Sequence, residues 1–385
     1  MDDFYGGIDV PGSFLLTLER FSNLRRLELK CTTALTEFEL DLLFASLSSC
    51  PIESLHFKQS PWELPPSCAA RLGHWLLHSN RATELSLDAC SVHRHDCANV
   101  VFAIASSPTL KHLRIVRGNL GRALSSAAHL PHRLHTLVLL NTHLTPTSMM
   151  HKIMWLSHLV ELHLDGNPVR DRGVRRLVKA LLASSRTGDI PLKVLGLANA
   201  GIGADGGADL ASVLPLTYLT SLSVGRNAMG DSVGLTLAAV LPRCRHLSHL
   251  DVHRLALTDD GVVAIVSALP MCQSLEFVNL SENWTTFVGA VQLVTVLPQC
   301  AHVKFLSLAH NPLEARGVQA LMRVLPSHMR LNLTVDMEAA DCRQCVELAT
   351  TLGVADRVTL STSAAGWRSS TATVGGSQLC VIGPT

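Results

Sequence analysis

The sequence predicts an α/β solenoid in which short parallel strands alternate with amphipathic helices, and three observations predict it. A six-residue pattern, L-x-x-L-x-L, returns along almost the whole chain. A second pattern, a glycine followed by apolar residues four and eight positions later, falls in the intervals between copies of the first. Cys244, Cys272 and Cys300, in LPRC, LPMC and LPQC, are separated by equal steps of 28 residues, the mark of a repeated unit.

Residues 1–23 come first. Phe4, Tyr5, Phe14, Leu15, Leu18 and Phe21 predict an N-terminal cap helix with its lead-in, because an uncovered first unit exposes an apolar face and a strand edge. The strand pattern then runs as LRRLEL from Leu24, IESLHF from Ile52, ATELSL from Ala82, LKHLRI from Leu110, LHTLVL from Leu134 and LVELHL from Leu159. It continues as LKVLGL from Leu192, LTSLSV from Leu219, LSHLDV from Leu247, LEFVNL from Leu275 and VKFLSL from Val303. Weaker copies begin at His328 and Ala355, so residues 24–360 hold about thirteen units.

The helix pattern follows each strand. Gly206, Leu210 and Leu214 form one set; Gly261, Ile265 and Leu269, then Gly289, Leu293 and Leu297, then Gly317, Leu321 and Leu325 form others. Spacing of four places these apolar residues on one helix face. Neither a lone strand nor a lone helix of this kind buries its apolar side, so neighbouring units must stack. Helices are wider than strands, which lie about 4.8 Å apart, so the stack is expected to curve into a horseshoe with strands concave and helices convex. The prolines of KQSPWELPPS predict a short or distorted helix in the second unit. The tail, residues 361–385, is rich in Ser, Thr and Gly and is expected to be flexible, with Trp367 able to fold back as a lid.

This pattern resembles the leucine-rich repeat family, in its ribonuclease-inhibitor-like class, whose longer repeats pair a strand with a full helix. The resemblance covers residues 24–360 and is strongest from 159 to 325. Asn167, Asn227, Asn283 and Asn311 fill the asparagine position, and Cys90 fills it in an earlier unit. The resemblance implies that this side chain hydrogen-bonds backbone where the chain leaves the strand.

Composition narrows the function classes. The 32 basic and 31 acidic residues give a net charge of +1, which removes a global electrostatic argument for nucleic acid or an anionic membrane. The N-terminus carries acidic residues where a secretory signal needs positive ones, and no stretch approaches the roughly 18 apolar residues of a membrane span. A soluble, cytoplasmic, monomeric protein is expected. Eleven cysteines, an odd number beside a large core, predict free thiols in a reducing compartment. Cys244, Cys272 and Cys300 fall at equivalent turns, and Cys342 and Cys345 fall on a helix without a redox or zinc context.

With leucines inward, the third, fifth and seventh strand positions face the concavity. The first four units place charges of both signs there, such as Arg26, Glu28, Lys58 and Glu84, which are expected to pair across strands. The fifth unit offers Thr136, Val138 and Leu140, and the sixth Glu161, His163 and Asp165. Val194, Gly196 and Ala198, then Ser221, Ser223 and Gly225, predict a smooth trough. His249, Asp251 and His253 follow on alternate positions of one strand, with Arg254 at its exit. The two histidines stand about 13 Å apart along a strand, too far to share one zinc ion bound at about 2.0–2.2 Å. Adjacent strands offer Ser221, Ser223, Gly225, Phe277, Asn279 and Ser281, none of them a strong metal ligand or nucleophile. A polar binding strip is therefore expected, with neither a metal nor a catalytic pair.

Phe277 and Phe305 occupy the same concave position in neighbouring units, and Trp284 follows Asn283 in the adjoining loop. Aromatics on an otherwise polar surface have the character of interface anchors. The alternative is that Trp284 turns inward, because Thr285 is small for the inward loop slot. The sequons at Asn279, Asn283 and Asn332 are not expected to be glycosylated.

The resemblance implies a non-catalytic scaffold that binds a protein partner through its concave face and adjoining loops, without a cofactor. A GTPase-activating protein similar to the Ran GTPase activator, which uses the same repeat class, is the alternative. That relative's acidic C-terminal segment has no counterpart in the neutral tail here.

Overall fold

The computed structural model describes residues 3–7, 23–30, 36–58, 63–125, 127, 129–144, 158–187, 192–328, 330–362, 373–374 and 377–378. The chain divides into two compact units, Met1–Val169 with Asp189–Gly196 and Arg170–Gly188 with Leu197–Thr385.

In the first unit, β1 (Asp3–Gly7), β2 (Arg26–Lys30), β3 (Ser54–Lys58), β4 (Glu84–Asp88), β5 (His112–Val116), β6 (Thr136–Leu140), β7 (Glu161–His163) and β8 (Val194–Gly196) each pair in parallel with the next. The register aligns Leu27, Leu55, Leu85, Leu113, Leu137, Leu162 and Leu195 in one fully buried row. At about 1.5–3 kcal/mol for each leucine removed from water, that row fixes the register, since a one-residue slip exposes all of it. Helices α1 (Glu37–Ser49), α2 (Pro66–His78), α3 (Cys97–Ser106) and α4 (Leu120–Leu124) belong to this unit.

The prolines of the second repeat do not shorten its helix. Pro66 takes the first position of the 13-residue α2, where no hydrogen-bonded N–H is needed and the fixed φ already suits a helix. The short helix is α4, with five residues.

β1 places residues 3–7 in the sheet beside β2. The helix expected for the N-terminal cap falls outside the described residues. So do Trp367 and most of the tail, of which two-residue strands at Thr373–Val374 and Ser377–Gln378 are described.

In the second unit, β9 (Ser221–Ser223), β10 (His249–Asp251), β11 (Phe277–Asn279), β12 (Phe305–Ser307), β13 (Asn332–Met337) and β14 (Val358–Thr362) are likewise parallel neighbours. Their core row is Leu222, Leu250, Val278, Leu306 and Leu333. Helices α5 (Arg170–Thr187), α6 (Ala204–Val213), α7 (Gly230–Val240), α8 (Asp259–Ala268), α9 (Phe287–Val296), α10 (Glu314–Val324) and α11 (Ala339–Thr351) pack side by side in chain order. From α6 to α10 each helix stops just before a Leu-Pro pair and tightens into one 3-10 turn. The proline of each pair has no N–H to extend the α-helical ladder.

The turns after those helices hold the cysteine ladder. Cys244, Cys272 and Cys300 are buried, and each thiol points at the carbonyl four residues back, at 3.4, 3.3 and 3.5 Å. Burial pushes their pKa values up to about 11, 11 and 12, so these are inert packing groups. Cys342 and Cys345 lie buried on α11. Among the described residues, no helix is long and apolar enough to cross a membrane.

A second ladder joins helix starts. Asp171 accepts a hydrogen bond from the Gly203 N–H at 2.7 Å, Asp231 from the Thr258 N–H at 2.7 Å, and Asp259 from the Thr286 N–H at 2.7 Å. Each aspartate thus caps the N-terminus of the following helix, where the backbone donors and the helix dipole both favour an anion. Gly206, Gly261 and Gly289 leave the room, since a Cβ at any of them would strike that carboxylate. The helix-pattern glycine is therefore a steric requirement. Phe287 occupies the position after Asp259 in this series, and there a Cβ on Gly317 would meet Ala290 closely at 3.1 Å and Leu313 at 3.5 Å, in place of a carboxylate.

Replacing Leu250 with Ala is expected to lower stability by about 2–5 kcal/mol in urea unfolding, through a core cavity; a negligible loss would mean that its strand faces the other way. Thr285 occupies a core slot held elsewhere by Leu257, Leu313 and Met229, and its hydroxyl has no hydrogen-bond partner. Thr285→Val keeps the volume and removes the buried hydroxyl, so stability should rise by about 1 kcal/mol in the same measurement.

Candidate functional site

On the sheet face opposite the helices, the second unit carries a row of rings. The parallel register sets His249 beside Phe277 and Phe277 beside Phe305. The His249 and Phe277 rings stack at 5.7 Å and 25°, and Phe277 meets Phe305 at 6.3 Å and 43°. Phe305 is 49% exposed and Phe277 half-buried. Both phenylalanines occupy strand positions that alternate with core residues, so their exposure follows from register alone.

Trp284 does not turn inward. Thr285 fills the inward slot and is fully buried, which leaves Trp284 63% exposed in the turn. The equivalent outward positions are Ala256 and Pro312, so a large apolar side chain is confined to this turn among its neighbours.

His249, Asp251 and His253 part company. The His249 ring lies 2.8 Å from the Ser248 hydroxyl and against Phe277, while the Nδ1 of His253 lies 2.8 Å from Asp251. The strand ends at Asp251, so His253 belongs to the turn and bends back over the preceding unit. A Cβ on Gly225 would overlap its imidazole. Ser223 donates to the other Asp251 oxygen at 2.9 Å. Burial works to raise the Asp251 pKa, but the hydrogen bond and charge of His253, with the Ser223 hydroxyl, outweigh it and hold the carboxyl below its ordinary value.

Arg254 takes left-handed backbone, as do Arg226, Glu282 and His310 at equivalent positions. Glu282 receives Arg254 at 3.3 Å and Arg226 at 3.7 Å. The guanidinium of Arg254 is exposed but already engaged, so it forms part of a surface charge cluster.

The first unit repeats the imidazole-over-glycine arrangement. His163 lies 3.6 Å from Asp165, and a Cβ on Gly196 would collide with both. The small residues expected to form a smooth trough are therefore seats for neighbouring side chains: the missing Cβ at Gly196 and at Gly225 is filled by an imidazole.

The charges of the earlier strands pair as expected. Lys58 meets Glu28 at 2.5 Å, Arg26 meets Glu28 at 3.5 Å, and His56 lies 3.2 Å from Glu84. The His56 contact, opposed by burial and reinforced by Ser54, draws the Glu84 carboxyl down to about 2.

Beyond this network lies a cleft of about 470 Å³ on the same face. Glu161, His163 and Asp165 line it together with Glu84, His112, Arg114, Thr136 and Val138. Register sets His112, Thr136 and Glu161 in one row, and Arg114, Val138 and His163 in the next. Among the described residues neither Arg114 nor Glu161 has an ion-pair partner. Alternation in the sequence places these residues on this face, but not the fact that the two charges stay apart. The arrangement is suited to gripping charged and apolar groups; it brings no nucleophile to an activating base.

Comparison with known proteins matches residues 156–178 and 299–322 to a family model described as a leucine-rich repeat. A ribonuclease inhibitor of Sus scrofa is 29% identical over 177 residues, which cover 43% of this chain and 38% of that protein. This chain thus spans well under half of that relative's length. Among solved structures, an internalin of Listeria monocytogenes is similar over 90% of this chain and 93% of its own, at 13% identity and a TM-score of 0.47. Actin-binding site 2 of leiomodin-1 is similar over 39% of this chain and 88% of its own, at 13% identity and a TM-score of 0.33. The in-register leucine rows and the matched segments make the chain a leucine-rich repeat solenoid, similar to the ribonuclease-inhibitor-like class.

Proposed function

We propose that this chain is a non-catalytic scaffold that binds a protein partner through the helix-free face of its sheet and the adjoining turns. The observation that carries the reading is the ring ladder of His249, Phe277 and Phe305, with Trp284 exposed in the turn that follows β11. Aromatic side chains bury roughly 150–250 Å² each and lose little entropy on binding, so such a row is an economical anchor. Asp251, His253 and Arg254 supply a polar rim beside it, and Glu161, His163 and Asp165 supply contacts in the first unit. In this reading the protein works in the cytoplasm as a monomer; the free thiols of the described cysteines suit a reducing compartment.

The test is a quantitative pull-down read by mass spectrometry, comparing the wild type with a Phe277→Ser, Phe305→Ser double variant. Proteins retained by the wild type should be lost by the variant, with the thermal unfolding midpoint nearly unchanged because both rings face water. Retention of the same proteins by both forms would remove the ladder as the anchor.

A further inference from the structure

The cleft of the first unit has a chemistry distinct from the ring ladder. Its lining holds Glu84, Glu161 and Asp165 against a single permanent cation, Arg114. Glu84 is already occupied by His56 and Ser54, at 3.2 and 3.0 Å. Asp165 has His163 at 3.6 Å. Glu161 is half-buried and has no ion pair among the described residues, while Arg114 stands exposed at the rim. Between them the floor is apolar: Val138 is 7% exposed and Leu140 half-buried.

From this charge balance we propose that the cleft takes a basic side chain, lysine or arginine, of the protein partner. The alkyl stem lies over Val138 and Leu140, and the cation ends on Glu161. A half-buried carboxylate has more to gain from a cation than an exposed guanidinium has from an anion, because water already screens the latter. Glu161 lies on the strand, whereas Asp165 lies in the turn beyond it and is already held by His163 at 3.6 Å. Glu161 is therefore the contact, and Asp165 adds only its field.

The inference rests on the scaffold reading and deepens it, and its test can fail separately. With methyl-labelled full-length protein, N-acetyl-arginine amide is titrated and the Val138 and Leu140 methyl signals are followed by NMR. Saturable shifts are expected from this probe and from N-acetyl-lysine amide, and none from the neutral citrulline analogue or from N-acetyl-glutamate amide. Glu161→Gln should weaken the arginine probe by about tenfold or more, the worth of one charge-assisted contact, with the other methyl signals in place. No shift with the basic probes, equal shifts with citrulline, preference for glutamate, or indifference to Glu161→Gln would each overturn the proposal. A partner lost by the Phe277→Ser, Phe305→Ser variant but held unchanged by Glu161→Gln would leave the scaffold standing and remove the basic anchor.

Discussion

A buried side-chain amide at the turn is the interaction on which the stacking of units depends. Each turn that leaves a strand carries backbone N–H groups into the core, where an unmet donor costs about 1–3 kcal/mol. Asn227 meets two of them at once: its oxygen accepts from the N–H groups of Ala200 and Ile202 at 3.0 Å each, and its nitrogen donates to Leu197 and Val224. Asn283 does the same for Leu255 and Leu257, and Asn167 for Thr142 and Leu144. An aspartate lacks the donors and a leucine lacks both functions, so asparagine is required wherever the neighbouring turn has nothing of its own. Because each amide satisfies the unit before it, one unit's turn is complete only when the next is in place.

The aspartate caps extend this dependence to the helix layer and leave their own mark on composition. A carboxylate that reaches the next helix start needs a glycine beneath it, so the pair is conserved in space although its members are about 30 residues apart in sequence. Where Phe287 replaces the aspartate, the following turn loses this cap, and α9 carries Val288 and Val291 exposed on its outer surface. Hence one end of the second unit is held by polar ladders and the part around α9 is more apolar, on its helices as well as on its ring-bearing strands.

Much of this was legible in the sequence because it follows from short periods. Alternation by two fixes which side of β10 holds Leu250 and which holds Asp251; spacing of four fixes the buried face of each helix. The asparagine turns were legible for the same reason, being tied to the strand pattern. What stayed hidden are contacts between units. Nothing local marks Asp231 as the reason for Gly261, or Gly225 as the seat of His253, and so the small residues predict a smooth trough. Asn119, which accepts from the Val92 N–H at 3.0 Å and donates to its carbonyl at 2.6 Å, falls outside the asparagine pattern because it lies one position late. The outward turn of Trp284 depends on a competition for one slot that Thr285 wins by being the residue in register with Leu257 and Leu313.

The imidazole over Gly225 shows how a polar group can be made ready for recognition by packing alone. Asp251 is held ionised, so it accepts and cannot donate; the His253 Nδ1 beside it must therefore carry the hydrogen. In the neutral ring the acceptor is then Nε2, and its direction is set by Asp251 on one side and the bare glycine backbone on the other. A free histidine would lose rotamer and tautomer freedom on meeting a partner, whereas this one has lost both on folding. The adjacent His249 reaches a similar state by stacking on Phe277 with its Nδ1 at the Ser248 hydroxyl. Two ordered polar contacts thus border a row of apolar rings, and it is this prior ordering, more than the identity of the residues, on which the proposed recognition surface draws.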